Sequence, residues 1–132
     1  MWRILVVDDD FDNRKLLVEI LKKHAECDLA ANGQEACHAF AQSFDDEKPY
    51  DLMLLDVSMP QVDGLEVLDR IRTFEENQGI KLGSGIPIIM VTAFPMNFTK
   101  SFIKGCDDFI IKPVDASVLL EKIESRLSQK IS

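Results

Sequence analysis

Five polar side chains share one kind of position, at the end of a short apolar run of strand length. They are Asp8 and Asp9 after one run, and Asp56, Thr92 and Lys112 after three others. If these runs are strands of a parallel sheet, their carboxyl ends meet at one edge, where such sheets bind ligands. We therefore expect the five side chains to lie close together.

The chemistry of this set is that of a phosphoryl-accepting site. Clustered carboxylates repel one another, and a hard divalent cation such as Mg²⁺ compensates them through oxygen ligands. Lys112 supplies a positive charge, and the Thr92 hydroxyl can donate a hydrogen bond to an incoming oxyanion. Asp56 is then the candidate nucleophile, as in enzymes that form an aspartyl-phosphate. The metal and the lysine would neutralise the charge that develops on the phosphoryl group.

Apolar runs alternate with segments of helical period along the whole chain. The predicted strands cover residues 4–7, 27–30, 52–55, 87–91 and 109–111. The predicted helices run from Asp12 or Asn13 through Leu21, over residues 34–44, from Leu65 past Ile71, over residues 97–104, and from a cap at Asp115 through Leu127. This order of strand and helix, repeated five times, predicts a parallel sheet with helices on both faces and right-handed crossovers.

Residues 73–85 are the least regular part of the plan. They hold two glutamates, an asparagine and a glutamine, and then glycines at positions 79, 83 and 85. We interpret them as the fraying end of the third helix, followed by a long and mobile surface loop.

Length and composition favour one globular domain over residues 1–132, with no effector domain. The chain has 132 residues, of which 46% are hydrophobic and 29% charged, and its formal net charge is −8. That charge argues against binding to nucleic acid or to an anionic membrane, because attraction to phosphates needs a basic face. A basic protein partner or a bound cation stays compatible with it.

The cysteines and the apolar runs indicate a cytoplasmic protein. Three cysteines, at positions 27, 37 and 106, form no CxxC pair and are odd in number, so small buried thiols are favoured over a disulfide framework. No apolar run reaches the roughly 20 residues of a membrane span. Charged residues follow Met1 too soon for a signal peptide.

Taken together, the motifs resemble the receiver domain of two-component response regulators, the family that includes the bacterial chemotaxis regulator. The segments that carry the resemblance are ILVVDD at 4–9, LLDVSMP at 54–60, DG at 63–64, VTA at 91–93 and DDFIIKP at 107–113. They span the chain in the order and spacing of the family. The resemblance implies a flavodoxin-like three-layer αβα sandwich, with a five-stranded parallel sheet of order 2-1-3-4-5 and five helices.

For the metal site, the resemblance assigns roles position by position. Asp8 and Asp9 match the acidic pair that holds Mg²⁺, with Asp9 bound directly and Asp8 mostly through water. Asp56 matches the phosphoacceptor and is also a metal ligand, and Ser58 matches the position whose backbone carbonyl binds the metal. Mn²⁺ or Ca²⁺ are possible substitutes. Asp10 matches no such role and is interpreted as a helix-start residue.

The switch and phosphate-binding positions follow from the same resemblance. Thr92 matches the switch hydroxyl, Lys112 the phosphate-binding lysine, and Ala93 a small position that leaves room for the phosphoryl group. The resemblance implies a cis peptide bond before Pro113. Phe109 stands at the switch aromatic, where tyrosine is commoner, and has no hydroxyl to bond at the surface.

The implied function is that of a stand-alone signalling receiver and not of a dedicated enzyme. A sensor histidine kinase or phosphotransfer protein would phosphorylate Asp56, and the chain would slowly dephosphorylate itself. The face made of the predicted fourth helix, the fifth strand and the last helix would then signal to a protein partner, with the chain as a monomer or a phosphorylation-dependent homodimer. Pro95 and the short spacing from Thr92 to Lys112 predict a short or displaced fourth helix.

Two other functions fit the same fold. One is a protein-binding module that acts without phosphorylation, although such domains usually lose an acid or the lysine, and here all are present. The other is a hydrolase that works through an aspartyl-phosphate. Ser58 weighs against it, because a dedicated acid or base would be an aspartate two residues after Asp56.

Overall fold

The computed structural model describes residues 1–56, 64–81, 83–92 and 105–131 of the chain, with side chains described as far as Leu127. Five strands lie in these ranges: β1 (Trp2–Val7), β2 (Ala25–Ala30), β3 (Leu52–Asp56), β4 (Ile88–Thr92) and β5 (Asp108–Ile111). All neighbouring strands are parallel, in the order β2-β1-β3-β4-β5. The predicted fold class and strand order are confirmed.

Four helices lie in the same described ranges. They are α1 (Phe11–Leu21), α2 (Gly33–Asp45), α3 (Gly64–Asn77) and α4 (Ala116–Ile131). The helix predicted over residues 97–104 lies outside the described residues. None of the described helices is long and apolar enough to cross a membrane.

Alternate residues of each strand feed two separate cores, because side chains of a strand point to opposite faces of the sheet. On one face, Leu5, Met53 and Met90 pack with α2 and α3. On the other face, residues such as Ile4 and Leu54 pack with α1 and α4. The three central strands are therefore covered on both sides, which explains why they read as unbroken apolar runs.

The helix starts follow ordinary capping chemistry. The Asp10 carboxylate accepts hydrogen bonds from the backbone N–H groups of Asp12 and Asn13, at 2.9 and 3.3 Å. The predicted cap at Asp12 or Asn13 is therefore wrong, and the interpretation of Asp10 as the helix-start residue is confirmed. The predicted cap at Asp115 is correct, because its Oδ1 accepts from the Val118 N–H at 3.0 Å.

The third helix is longer than the sequence indicated. It continues to Asn77, and Glu75, which lies in the segment predicted to fray, is only 3% exposed. Both of its carboxylate oxygens are engaged, one by Arg72 at 2.7 Å and one by the Ile86 N–H at 2.6 Å. Gly85 lies so close that a Cβ there would collide with this carboxylate. Ile86, just before β4, is thus bound to α3 through Glu75.

Candidate functional site

Asp8 and Asp56 lie at the carboxyl ends of the adjacent strands β1 and β3. Asp56 is the last residue of β3, and Asp8 directly follows β1. Both are almost fully buried, with exposed fractions of 3% and 1%. The position of Asp8 is fixed by its N–H, which donates to the Ala30 carbonyl at 3.0 Å, and by its Oδ1, which accepts from the Asp10 N–H at 2.9 Å.

Asp8, Asp9 and Asp56 form a compact group of carboxylates. One oxygen from each lies within 4.8 Å of the others, and Asp9 is the exposed member. This donor set is all oxygen and opens to solvent on one side, which fits a hard cation such as Mg²⁺ that keeps part of its water shell. The three acids predicted to form a metal site are therefore brought together.

The electrostatics of this group depend on burial. The pKa of the Asp8 carboxyl is raised to about 6, mainly by burial and also by the neighbouring Asp56 carboxylate. The hydrogen bond from the Asp10 N–H and the charge of Lys112 act in the opposite direction. Two carboxylates at this separation repel when both are ionised. A cation held between them would remove the repulsion.

Lys112 contacts the Asp56 carboxylate from the side of β5. Its ammonium nitrogen lies 3.2 Å from Oδ2 of Asp56. Its backbone N–H donates to the Thr92 carbonyl at 2.8 Å, which holds the end of β5 against the end of β4. The peptide bond between Lys112 and Pro113 is cis, the isomer that the resemblance implied.

Thr92 and Phe109 lie on β4 and β5, the two strands that follow β3 in the order of the sheet. Thr92 ends β4 and is 3% exposed. Phe109 lies in β5, is partly buried, and packs against the core on the α2–α3 face. Ser58 and Ala93, which the resemblance assigned to the metal and to the phosphoryl space, lie outside the described residues.

Sequence reasoning missed Arg14 and the apolar rim beside the site. The Arg14 guanidinium donates to the backbone carbonyl of Asp8 at 2.8 Å. Phe11 and Leu16 on α1 are 67% and 49% exposed. A groove of about 410 Å³ begins at Asp8 and Lys112 and runs between α1 and the residues that follow β5. Its other lining residues are Asn13, Leu16, Leu17, Val91, Pro113 and Val114. Leu16 was the signal in the sequence for this apolar rim, because it is a large apolar residue directly beside the buried Leu17 on the same helix.

The three thiols show no sign of activation. Burial raises the pKa of Cys27 and of Cys37, and it raises that of Cys106 to about 11. A thiol in this state is mostly protonated near neutral pH and a weak nucleophile. This agrees with the interpretation of the cysteines as small packing residues.

Comparisons with known proteins point in the same direction as the geometry. Residues 4–124 match the family model described as the response regulator receiver domain. The chain is 34% identical over 132 residues to the hybrid signal transduction histidine kinase I of Dictyostelium discoideum, an alignment that covers 98% of this chain and 7% of that kinase. The chain spans less than half of the length of the curated relatives it matches.

Two solved structures show the likeness in three dimensions. One is a chain of the co-crystal structure of the Saccharomyces cerevisiae histidine phosphotransfer protein Ypd1 and the receiver domain of its downstream response regulator Ssk1. It has a TM-score of 0.84 and 30% identity, over 98% of this chain and 90% of that one. The other is a receiver domain protein from Methanospirillum hungatei, with a TM-score of 0.81 and 29% identity over 99% and 97% of the two chains.

Proposed function

Because the chain belongs to the response regulator receiver domain family, a signalling module of two-component and phosphorelay systems, we propose that it accepts a phosphoryl group on Asp56 in the presence of Mg²⁺. The observation that carries the proposal is one constellation. The buried Asp56 carboxylate has the Lys112 ammonium at 3.2 Å on one side and the Asp8 and Asp9 carboxylates within 4.8 Å on the other.

The proposed reaction is transfer from a phosphohistidine. A carboxylate oxygen of Asp56 attacks phosphorus, an O–P bond forms, and the P–N bond breaks with its electron pair leaving on the imidazole. Asp8, Asp9, Asp56 and the backbone carbonyl of Ser58 would hold the cation, with Mn²⁺ or Ca²⁺ as substitutes. When bound, Mg²⁺ supplies charge neutralisation at the phosphoryl oxygens. Lys112 adds a hydrogen bond and a second positive charge, and slow hydrolysis of the aspartyl-phosphate returns the starting state.

The response is proposed to run through Thr92 and Phe109. A phosphoryl group on Asp56 attracts the Thr92 hydroxyl, Ala93 leaves space for it, and Phe109 turns into the space that Thr92 leaves. The face formed by the segment after β4, by β5 and by α4 then changes shape. This is a shift of population between two states of one fold. A protein partner that binds this face would receive the signal.

The donor is proposed to dock on the apolar rim of the site. Phosphotransfer needs direct contact between the donor histidine and Asp56, and the exposed Phe11 and Leu16 lie on the helix that begins beside Asp8. The groove between α1 and Val114 offers an apolar surface next to Lys112. A relative of similar fold has been crystallised with a histidine phosphotransfer protein. We therefore assign this rim to a histidine kinase or a phosphotransfer protein.

Further properties belong to the same proposal. Residues 1–132 form one receiver domain, which acts in the cytoplasm as a monomer or as a phosphorylation-dependent homodimer. Its partners are proteins and not nucleic acid or membrane, in keeping with the net charge of −8. It is not a dedicated enzyme, since its chemistry acts on itself.

The test uses acetyl phosphate as a small phosphoryl donor and intact mass as the readout. Wild type with Mg²⁺ should gain the mass of one phosphoryl group, and the gain should disappear with EDTA and in Asp56→Asn. Asp69→Asn, which changes an exposed acid on α3, is the matched control and should behave as wild type. An unmodified wild type, or equal addition to Asp56→Asn, would favour a binding module that acts without phosphorylation.

A further inference from the structure

The Arg72 guanidinium, at the end of the sheet opposite to the candidate site, joins three parts of the chain. Arg72, on α3, makes five hydrogen bonds: two to the Gly105 carbonyl at 3.1 and 2.9 Å, one to Ile86 O at 2.8 Å, one to Glu75 Oε1 at 2.7 Å and one to Asp107 Oδ2 at 3.0 Å. Its side chain is 14% exposed and that of Glu75 is 4% exposed. All donors of the planar fork are engaged, which a lysine could not reproduce.

Apart from Glu75 on α3, the acceptors of Arg72 lie at the amino ends of β4 and β5. Ile86 comes just before β4, and Gly105 and Asp107 come just before β5. The Asp107 carboxylate also accepts from the Ile88 N–H at 2.7 Å, and the Asp107 N–H donates to the Ile88 carbonyl at 2.9 Å. The Arg72 network therefore fixes the first rung between the two strands.

The last rung of the same ladder lies at the functional site. It is the hydrogen bond from the Lys112 N–H to the Thr92 carbonyl. β5 has four residues, and among the five described strands it lies at an edge of the sheet and pairs with β4 alone. A strand this short gains little from pairing, so its register depends on the contacts at its two ends.

From this placement we propose that Arg72 is a positioning residue for the phosphorylation reaction. It sets the register of β5 against β4 and thereby holds the Lys112 ammonium at the Asp56 carboxylate. The inference rests on the proposed function, because it assigns to Lys112 a part in phosphorylation. Lys122 supports the same strand from α4 through an ion pair of 3.0 Å with Asp108. Arg72 acts through Lys112 and does not itself touch the reacting atoms.

The decisive experiment is a double-mutant cycle between Arg72 and Lys112. Phosphorylation by acetyl phosphate is followed by intact mass, and the dissociation constant of Mg²⁺ by calorimetry. Arg72→Gln should slow phosphorylation roughly tenfold, since small misplacements of reacting groups are costly. It should not weaken Mg²⁺ binding, because Asp8 and Asp9 follow β1. In a Lys112→Ala background, Arg72→Gln should have no further effect on the rate.

Controls separate this role from a loss of folding. Arg70→Gln, on the same helix, removes an exposed ion pair with Glu66 and should leave the rate unchanged. Asp107→Asn keeps an acceptor for the Ile88 N–H and loses the charge that faces Arg72, so it should slow the reaction in the same direction even if Arg72→Gln does not fold. Circular dichroism checks that each variant is folded under the assay conditions.

Two results would overturn the inference. One is equal slowing by Arg72→Gln with and without Lys112, which would mean that the loss comes from general loosening. The other is wild-type rates in both Arg72→Gln and Asp107→Asn. A wild type that takes up no phosphoryl group contradicts the proposed function itself, which the same mass measurement reveals separately.

Discussion

Asp56 and Lys112 are 56 positions apart in sequence and 3.2 Å apart in the structure. The contact depends on two strand ends that meet at one edge of the sheet, and that much could be predicted from the polar residues after each apolar run. The roles of Ser58 and Ala93 stay predictions. The sequence did not indicate the hydrogen bond from Arg14 to the Asp8 carbonyl, because an arginine on a polar helix face has many other possible partners.

The raised pKa of Asp8 leads to a prediction about the free energy of unfolding and its dependence on pH. Its pKa in the folded protein, about 6, exceeds its ordinary value of 3.8. The folded state then holds this proton more tightly than the unfolded state, so the contribution of Asp8 to the free energy of unfolding falls as pH rises from about 4 to 6 and stays low above that. Without metal, Asp8→Asn should be more stable than wild type at about pH 7.5, by up to about 3 kcal/mol.

Urea unfolding in EDTA measures this difference. Asparagine keeps the oxygen that accepts from the Asp10 N–H, so the helix start is retained. The gain should shrink at about pH 4, where Asp8 is increasingly protonated. A variant no more stable than wild type at the higher pH would contradict the assigned electrostatics.

A substitution of Thr92 should separate phosphorylation of Asp56 from the conformational change that follows it. Thr92→Ala should still accept a phosphoryl group from acetyl phosphate, because the nucleophile and the acidic group are intact. The changes in amide chemical shift of Phe109 and Ile110 on phosphorylation should become much smaller, since the hydroxyl that follows the phosphoryl group is gone. Thr73→Ala, at an exposed position of α3, is the control. Equal shift changes in wild type and Thr92→Ala would refute the switch.

At the scale of elements, strand positions were predicted better than helix ends. Buried parallel strands leave an unbroken apolar signal, so the predicted cores of β1, β3 and β4 overlap the observed strands closely. The end of α3 was missed because Glu75 is polar in sequence yet buried with Arg72. Arg72 also binds the distant segment from Gly105 to Asp107, and the sequence pattern around α3 does not reveal that segment.

Helix α1 predicts where the phosphoryl donor binds. Leu16→Asp places a charge on the apolar rim without filling the site. The variant should be modified by acetyl phosphate at the wild-type rate, and more slowly than wild type by a phosphorylated histidine phosphotransfer protein that serves as its donor. Leu29→Asp changes a residue of similar exposure on β2 and should be neutral in both assays. Parallel loss in both assays, or in neither, would contradict the docking surface.

At the scale of the whole molecule, the candidate site lies at one end of the strands and the Arg72 network at the other. The carboxyl edge carries Asp8, Asp56, Thr92 and Lys112, while the Arg72 network closes the amino ends of β4 and β5. The fold class and the strand order followed from the alternation of strands and helices together with the family resemblance. The sequence alone did not indicate how the amino ends of β4 and β5 affect the site at their carboxyl ends. The inferred role of Arg72 supplies that connection.

The most direct measurement locates the phosphoryl group within the chain. Wild type is incubated with acetyl phosphate and Mg²⁺, reduced with borohydride to convert an aspartyl-phosphate into homoserine, digested, and sequenced by mass spectrometry. We expect homoserine at position 56 and at no other aspartate, and none when EDTA replaces Mg²⁺. Homoserine at Asp8 or Asp9, or unmodified Asp56 in a protein that binds Mg²⁺, would contradict it.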